Sequence, residues 1–344
     1  MVPDADQSQL AAAADIARDV LLRDAAATDA VIALGLAAQI ENRVDAARTA
    51  FHYAERLSRR ELQTQLWAIV DLAGQGDIPG VIRQYDIALR TAPGAASERL
   101  FPALSSVLSD PQVRRLLVER LGRDPAWRDR FLGYAARDGE DPEAAQQLFT
   151  ALDRAHVPVP EPAKVGLISS LIAADKWDSA WSYYQTLHPQ ANRASSQDPD
   201  FRYRPKYRSL FDWVPVAQSG IAATIGSGGD GGVFTFSTPP GVGGTVLRQM
   251  EVLPPGEYVV EGVSERIDQP DVSRPYWQLS CYHGSELGRV ELPNSDRNGG
   301  RFSGRFMVPE DCPAQVLTLV TRASDDIAGV EGQIAHVQIR PAGE

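Results

Sequence analysis

The densest group of chemically useful side chains in this sequence lies at residues 276–284, YWQLSCYHG. Cys281 and His283, two positions apart, have the residue types of a nucleophile and its general base. Strand alternation places both on one face, but His283 falls at the strand end and Cys281 has a second cysteine, Cys312, to bond with. We therefore interpret this stretch as a structural or ligand-binding strand and predict no catalytic residue in it.

No other nucleophile or metal-ligand pattern stands out in the sequence. The five histidines are not at metal-ligand spacing, and no HExxH, GxSxG or CxxC motif occurs. The glycine tract GSGGDGG (226–232) lacks the GK[ST] of a phosphate loop and has predicted strands on both sides, which favours a hairpin tip or mobile loop. The sequence therefore predicts no metal and no cofactor.

The acidic residues lie where solvated turns are expected. The carboxylate pairs at 310–311 and 325–326 fall in predicted turns, whereas a glycosidase needs two carboxyl groups facing each other across a cleft. The segment PNSDRNGG (293–300) alternates Asn and Asp as a calcium loop does, but it lacks the terminal glutamate, which favours a hairpin turn. Binding, rather than catalysis, is the activity that these patterns favour.

Length and charge restrict the ligands that the chain can hold. Its 344 residues, 43% of them hydrophobic, suffice for two folded domains. The net charge of −11 disfavours binding to nucleic acid and to anionic lipid, both of which attract basic surfaces. No run of about 18 apolar residues occurs, so no membrane span is predicted. The opening MVPDADQSQL lacks the basic and apolar regions of a signal peptide.

Two segments with different hydrophobic periodicity must position the chemically useful residues. From residue 8 to about 190 the apolar residues recur at helical spacing, and from about 218 onward they alternate as in strands, with frequent glycine and proline. The polar, proline-bearing stretch between them predicts a linker or crossover on the surface. The predicted domains are therefore residues 1–190, a linker or crossover at 191–210, and residues 211–344.

The first segment contains an internal repeat with an offset of 34 residues. A small residue is followed by an aromatic residue and then by alanine, in the matched pairs Ala47 and Val81, Phe51 and Tyr85, and Ala54 and Ala88. A third match occurs at Ala180 and Tyr184, while residues 97–150 show three Asp-Pro helix starts without clean repeats. The pattern resembles the tetratricopeptide repeat and predicts an all-α solenoid of helical hairpins.

Solenoids of this kind commonly bind partners in a concave groove. Residues close together in the sequence could contribute to such a groove, and the candidates are Arg59, Arg60, Gln63 and Trp67. The alternative is a solvated helix start, since charged side chains usually face water. The predicted ligand of the helical domain is thus a protein partner of unknown identity.

The second segment contains nine predicted strands separated by turn residues. They lie at 221–225, 233–237, 245–253, 257–264, 276–282, 287–292, 301–308, 315–321 and 333–340. Short strands at regular intervals with no helix between them predict an antiparallel β-sandwich of jelly-roll type. The predicted fold class is α+β multidomain, with an N-terminal all-α helical-hairpin solenoid followed by this sandwich.

Strand alternation divides the opening stretch into two faces. Residues 277, 279 and 281 are predicted to fill the core, and the even-numbered residues to point outward. Aromatic rings that stack on sugars, with polar groups that bind hydroxyls, are typical of carbohydrate sites. If the strand at 301–308 is a neighbour, the outward row would form a glycan face comprising Tyr276, Gln278, Tyr282, Arg301 and Arg305. The alternatives are a solvated sheet face and a face covered by the helical half.

The two cysteines both lie in the second segment, Cys281 on a predicted strand and Cys312 at the start of another. Two half-buried cysteines in one sandwich favour a disulfide, which would close a loop of about 30 residues and stabilise the fold by roughly 3–4 kcal/mol. A disulfide would also indicate an oxidising compartment such as a bacterial periplasm. The alternative is a pair of reduced core cysteines.

Several motifs together resemble one group of proteins. SRRELQTQLWAIVDLAGQGDIPGVIRQYDIALRTAP in the first half is similar to alphaproteobacterial, sphingomonad-type tetratricopeptide-repeat proteins. So are YRSLFDWVPV, LPPGEYVVEG, WQLSCYHG, FMVPEDCPAQVLTL and AHVQIRP in the second half. The resemblance implies a C-terminal jelly-roll domain like a carbohydrate-binding module, a link to exopolysaccharide production, and an N-terminal signal or membrane anchor that this sequence does not show.

These observations favour a non-enzymatic periplasmic protein. Its helical repeats would dock a protein partner, and its sandwich would bind polysaccharide during envelope or exopolysaccharide assembly. One alternative is a protein–protein adaptor with a purely structural sandwich, and another is a polysaccharide-modifying enzyme with a jelly-roll active site. A cytoplasmic location is the alternative to the periplasm, since no export signal is predicted in this chain.

Overall fold

The computed structural model describes residues 7–218, 220–228 and 231–343. By compactness the chain divides into two units, Met1–Ala163 and Lys164–Glu344. The first is entirely helical where it is described, and the second combines helix with two β-sheets. The predicted succession of a helical segment and an antiparallel sandwich is confirmed.

The described helices occupy the chain up to residue 187, and nine of them begin within the first 160 residues. Their bounds are α1 (Gln7–Arg23), α2 (Thr28–Ile40), α3 (Val44–Leu57), α4 (Leu62–Gly74), α5 (Ile78–Thr91), α6 (Pro93–Ser106), α7 (Pro111–Leu121), α8 (Arg128–Arg137), α9 (Pro142–Arg154), α10 (Glu161–Ala173) and α11 (Trp177–Leu187). α10 begins in the first unit and continues into the second, to which α11 belongs.

The 34-residue offset of the sequence repeat is also the offset between two helical hairpins. The bounds of α2 and α3, shifted by 34 residues, coincide with those of α4 and α5. Within the first hairpin a Cβ on Gly35 would lie 2.8 Å from Phe51 Cε2, so only glycine lets α2 approach the ring so closely. Ala54 and its repeat equivalent Ala88 are both fully buried, as small residues between close helices must be.

Two of the three predicted Asp-Pro helix starts are present. Asp110 accepts hydrogen bonds from the backbone N–H groups of residues 112 and 113, and Asp141 accepts one from Ala144 N. The third prediction, at Asp124, is wrong. Its φ of 53° lies in the left-handed region, and α8 begins four residues later, so a turn rather than a cap follows this aspartate.

The second unit carries ten described strands. They are β1 (Val214–Pro215), β2 (Ala222–Gly228), β3 (Gly231–Thr238), β4 (Gly244–Glu251), β5 (Gly256–Glu265), β6 (Tyr276–Cys281), β7 (Glu286–Glu291), β8 (Arg301–Val308), β9 (Gln315–Thr321) and β10 (Val330–Pro341). The glycine tract at 226–232 belongs to the β2–β3 hairpin, as predicted, and residues 229 and 230 at its centre lie outside the described part of the chain.

The strand order confirms a jelly-roll sandwich. One sheet has the order β1-β4-β9-β6-β7 and the other β2-β3-β10-β5-β8, with antiparallel pairing throughout the described strands. The chain alternates between the sheets, so that β4 and β9 pair in one while β3 and β10 pair in the other. Two interlocked Greek keys of this kind define the jelly roll.

The sandwich core consists of the inward residues of both sheets. Trp277 and Phe302, from different sheets, are separated by 6.4 Å between ring centroids, and Trp213 lies 5.8 Å from Trp277. Phe302, Phe306 and the other inward residues of β8 alternate with exposed ones, as the period of a half-buried strand requires. Trp213 is therefore a core residue of the sandwich.

Part of the segment at 191–210, which was predicted to lie on the surface, is held in the sandwich by backbone hydrogen bonds, while the side chains at 202–204 and 206–207 are exposed. Val337 N donates to Pro199 O (3.0 Å) and Gly232 N donates to Asp200 O (2.8 Å), so this backbone extends the sheet that contains β3 and β10. Phe201 is fully buried among the aromatic residues of the core. The polar composition that predicted a linker reflects exposed side chains on a backbone whose hydrogen bonds lie within the sandwich.

Helix α11 packs on the sandwich within the second unit. Trp181 makes an edge contact with Phe211 (5.4 Å), and the Tyr184 hydroxyl donates to Asp212 Oδ1 (3.0 Å). These contacts explain why the compact units divide between Ala163 and Lys164 rather than within residues 191–210.

Candidate functional site

Tyr276, the first residue of the predicted glycan face, is covered by two arginines. Arg289 and Arg322 place their guanidinium carbons 4.8 Å and 4.4 Å from the ring centroid. Hydrogen bonds with Glu286 and Glu291, respectively, raise the pKa of both guanidinium groups. Because cation–π contacts occupy the ring, which is only 9% exposed, Tyr276 offers little surface for a sugar to stack on.

The other two residues of that predicted row also have partners inside the protein. Gln278 is half-buried and donates to Ser280 Oγ (2.9 Å). Tyr282 lies beyond the end of β6 and makes an edge contact with Trp177 of α11 (5.1 Å). Part of the row is therefore covered by helix α11, which is one of the alternatives that the sequence left open.

Arg301 and Arg305 lie on the other sheet, because β8 pairs with β5 and not with β6. Arg305 is exposed and bonds to Glu257 (2.9 Å). Arg301 lines a depression of about 370 Å³ with His336 and Glu261, whose pKa is lowered by its hydrogen bond with Arg340. The condition that β6 and β8 are neighbours is not met, so the five residues do not form one surface.

Cys281 and Cys312 form a disulfide, with Cα atoms 5.5 Å apart. It joins the end of β6 to the loop before β9, across a sequence separation of 31 residues. The bond removes the thiol that a Cys281–His283 dyad would need, which supports the structural interpretation of this stretch. Disulfides are typical of oxidising compartments.

The helical unit contains a groove of about 950 Å³ between α2, α3 and α4. Of the four predicted groove residues, Gln63 and Trp67 line it, whereas Arg59 and Arg60 are exposed beside the start of α4. The apolar lining consists of Leu36, Val44, Leu62, Leu66, Trp67 and Val70. The groove therefore lies along α4. It does not include the two arginines before that helix, and it extends to the C-terminal end of the helix instead.

Contacts within the protein position the ring on the floor of the groove, and the rim of the groove is polar. Trp67 stacks on Phe51 (4.5 Å) and donates its indole N–H to Gln39 (3.1 Å), so the ring is held from two sides. Val70 is 71% exposed within this apolar lining. At the rim Arg48 binds Asp71 through two hydrogen bonds (2.8 and 3.1 Å), and Arg99 of α6 makes no ion pair with any described residue.

A second cavity, of about 240 Å³, lies in the sandwich unit after α11. Three aromatic rings form one side, since His188 packs on Tyr184 (4.4 Å) and on Tyr203 (5.1 Å). Arg208 and Trp213 line it as well. This cavity was not predicted from the sequence, although FRYRPKYR (201–208), which alternates rings with cations, was a signal within the predicted linker.

Two carboxyl groups in this cavity hold the surrounding chain. Asp212 accepts hydrogen bonds from Tyr184 and from the N–H and hydroxyl of Ser209 (3.0, 2.7 and 2.8 Å). Burial, followed by the nearby Asp212, raises the pKa of Tyr184, which stays protonated. Asp198 accepts from the N–H groups of residues 202 and 203, and burial raises its pKa. Both carboxyl groups are thus committed to positioning the loop.

The described residues form neither a metal-binding cluster nor a membrane-spanning helix. In that part of the chain no three His, Cys, Asp or Glu side chains lie close enough together to hold a metal ion. No described helix is long and apolar enough to cross a membrane.

No protein-family model matches the sequence, and no curated protein is detectably similar to it. Among solved structures it is similar to TmCBM61 in complex with beta-1,4-galactotriose (14% identity, TM-score 0.31, 44% of this chain and 99% of that one). It is also similar to the CBM22-1 xylan-binding domain of Paenibacillus barcinonensis Xyn10C (11%, 0.30, 44% and 97%). A third is the enzymatically active domain of bacteriophage CBA120 tailspike protein 4 (11%, 0.30, 44%), of which the match spans only 21%. At these TM-scores the jelly-roll assignment rests on strand order alone.

Proposed function

We propose that this is a non-enzymatic binding protein whose tetratricopeptide-like hairpins hold a segment of a protein partner. The observation that carries the proposal is the α2–α4 groove, an apolar concavity of about 950 Å³ with a polar rim. Concave, mainly apolar sites with a few placed polar groups are the usual form of a binding pocket.

The lining of the groove defines the chemistry of its occupant. Val44 and Val70 are 41% and 71% exposed, and each apolar side chain that a partner covers contributes about 1.5–3 kcal/mol when fully buried. Arg99 stands at the rim with no described carboxylate partner. The occupant is therefore a peptide segment with apolar side chains for the floor and an acidic residue for Arg99.

A displayed random-peptide library, selected on the whole chain, tests this proposal. We expect enriched peptides to combine apolar residues with Asp or Glu, and Val70→Asp to weaken their binding by at least about tenfold. Val107→Asp is the matched control, because Val107 is 42% exposed and does not line the groove. Enrichment of no common motif, or equal losses in both variants, would contradict the proposal.

A second function, carbohydrate binding by the sandwich unit, is favoured by the cavity beside α11. Its side chains include aromatic rings, an arginine and hydroxyl groups, which bind the faces and hydroxyls of sugars. The volume of about 240 Å³ is below the roughly 300 Å³ at which sites for larger ligands begin, so it suits a single sugar ring.

A glycan array provides the test. Tyr203→Ala should abolish binding of any glycan that the wild-type protein retains. Tyr207→Ala should not, because Tyr207 is equally exposed (38% against 40%) but does not line the cavity. If the wild type bound no glycan, the adaptor alternative would be favoured. If it converted a polysaccharide, the enzyme alternative would be favoured.

We place this binding protein in the periplasm, in envelope or exopolysaccharide assembly. The disulfide supports an oxidising compartment. The role in exopolysaccharide assembly rests on the sequence resemblance. Gel mobility of the native protein with and without reductant tests the compartment, since free thiols in protein from its native cell would contradict it.

A further inference from the structure

The segment 202–208, RYRPKYR, has the opposite charge to the protein that carries it. It holds four basic and no acidic residues, in a chain whose net charge is −11. Its rings and most of its cations are exposed. A concentrated basic patch on an acidic protein creates a local field that attracts anions.

The backbone of this segment is fixed at its N-terminal end. Phe201, immediately before it, is fully buried and packs on Trp213 (5.4 Å). The Asp198 carboxylate accepts the N–H groups of residues 202 and 203 (2.7 and 3.0 Å). A Cβ on Gly232 would lie 2.0 Å from Phe201 O, so the neighbouring strand also approaches closely. The exposed side chains therefore extend from an ordered backbone.

Two of the four cations in the segment, Arg204 and Lys206, have no carboxylate partner among the described residues, whereas the charge of Arg208 interacts with that of Asp198. Arg202 bonds to Asp200 (3.3 Å), but Arg204 donates to the Ser227 hydroxyl (2.7 Å) and Arg208 to Trp213 O (3.1 Å). Lys206 lies over the ring of Tyr207, 5.3 Å from its centroid. The charges of Arg204 and Lys206 are therefore the ones most available to a ligand.

We propose that residues 202–208 make the neighbouring cavity selective for acidic carbohydrate, such as a hexuronate-containing glycan. This inference rests on the proposed carbohydrate binding. Tyr203 and Arg208 belong both to the segment and to the cavity lining. The sugar ring occupies the cavity, and its carboxylate binds Arg208, whose planar guanidinium suits a carboxylate. Arg204 and Lys206 attract the carboxylates of adjoining sugars.

The two acidic residues in the cavity do not prevent this arrangement. The carboxylates of Asp198 and Asp212 are already bonded to backbone N–H groups and hydroxyls of the protein. The uncharged ring of the sugar, rather than its carboxylate, faces them. They fix the loop and the Tyr184 hydroxyl, so the cationic residues at the rim interact with the charged group of the ligand.

The ring-lined cavity favours a glycan over other anions. Anionic membranes attract flexible or amphipathic basic segments without needing a cavity, and nucleic acid requires a wider basic surface. Here the basic stretch is only seven residues long and adjoins a hollow of single-ring size. A membrane surface is therefore an outcome to be excluded by experiment.

The test is calorimetric binding to trisaccharides of galacturonate, glucuronate and mannuronate, each beside the same trisaccharide with its carboxylates reduced to alcohols. We expect at least one acidic member to bind about tenfold or more tightly than its reduced counterpart, with the difference shrinking as salt is raised. The variant Arg204→Gln/Lys206→Gln should lose most of this ratio. Arg248→Gln/Arg297→Gln, which removes two exposed charges elsewhere on the unit, should keep it.

The outcomes separate the inference from the function on which it rests. Equal affinity for acidic and reduced glycans would overturn the selectivity and leave carbohydrate binding intact. Binding to no glycan in this panel or on the array would overturn both. Binding to phosphatidylglycerol vesicles that depends on Arg204 and Lys206, without a preference for acidic glycans, would assign the segment to a membrane surface instead.

Discussion

The helical unit and the sandwich unit expose different kinds of surface. The helical groove has an apolar floor, with Val70 71% exposed, whereas the cavity of the sandwich unit is lined by rings and bordered by cations. In the sandwich, large apolar side chains such as Trp277 lie between the sheets. A layer of paired helices leaves one apolar face uncovered, while two facing sheets cover each other, so the two units expose chemically different surfaces.

The two units also differ in how their contacts are distributed along the chain. In the helical unit, Gly35 meets Phe51 across one hairpin, and the helix bounds of that hairpin recur 34 residues later. In the sandwich unit, Ile339 N donates to the Ser196 hydroxyl, 143 positions away. The sandwich therefore depends on contacts between distant parts of the chain, and single changes in its core should have the larger effects.

The largest loss of stability is expected for Phe201→Ala. Phe201 is fully buried, so its removal leaves a cavity and should lower the free energy of unfolding by about 3–5 kcal/mol. Urea unfolding measures the loss, and hydrogen exchange localises it to the sandwich unit. Tyr207→Ala, six residues along the same segment, should cost under about 1 kcal/mol. Similar small values for both would restore the predicted surface linker.

The second-largest loss of stability is expected on reduction of the disulfide. The Cys281–Cys312 bond constrains 31 residues of the unfolded chain, which corresponds to about 3–4 kcal/mol. Reductant should therefore shift the unfolding of the sandwich unit and leave hydrogen exchange in the helical unit unchanged, since both cysteines lie in the former. The double variant Cys281→Ser/Cys312→Ser should reproduce the shift and be insensitive to reductant.

Replacing two buried carboxyl groups by amides, one in each unit, should change the free energy of unfolding in opposite directions. Asp86 accepts from Trp127 (3.0 Å) and binds Arg90 and Arg120, so Asp86→Asn should cost up to about 3 kcal/mol. Glu251 on β4 is 1% exposed, and its Oε1 has no hydrogen-bond partner in the described structure. Glu251→Gln should therefore stabilise the sandwich at neutral pH.

The gain from Glu251→Gln should depend on pH in a defined direction. Burial raises the pKa of Glu251 well above 4.5, so between the unfolded and the folded pKa the folded wild type holds a proton that the unfolded chain releases. That contribution to stability is complete below the unfolded pKa and is lost as pH rises towards the folded pKa. The difference between variant and wild type should shrink from about pH 7 to about pH 4, as urea titrations at each pH will show.

The smallest effect on stability is expected in the groove. Val70 is largely exposed, so Val70→Asp should change the free energy of unfolding by less than about 0.5 kcal/mol while it reduces peptide binding. Differential calorimetry with and without a library-selected peptide measures both quantities. A large loss of stability would show that Val70 supports the helical unit, and the groove would then lose its status as an open site.

Much of the fold could be predicted because it follows from local periodicity. The strands at 301–308 and 315–321 have the bounds that alternation predicts, and the helical hairpins follow the sequence repeat. Asp124 shows the limit of such patterns. It has the same Asp-Pro pair as Asp110 and Asp141, yet its backbone turns left-handed and no cap forms.

The candidate sites were less predictable because their partners come from distant parts of the chain. Alternation correctly places Trp277 and Leu279 in the core, although Cys281 is only half-buried and Tyr276 on the other face is buried. It does not tell that β7 and β9 are the neighbours of β6 or that β8 belongs to the other sheet. The ring of Tyr276 therefore contacts Arg289 and Arg322 rather than the predicted Arg301 and Arg305. The cavity near Tyr203 combines a helix end with a loop that composition alone had classed as a linker.

The sequence by itself determined the two structural classes, the helical repeat, most strand positions and the residues that could form a disulfide. These features depend on periodicity and residue type over short stretches, which the chain carries directly. Only the tertiary structure decided strand neighbours, the burial of Ser196 and Phe201, and which aromatic rings stay exposed. Those depend on the pairing of backbone segments more than 100 residues apart, and local patterns do not encode that pairing.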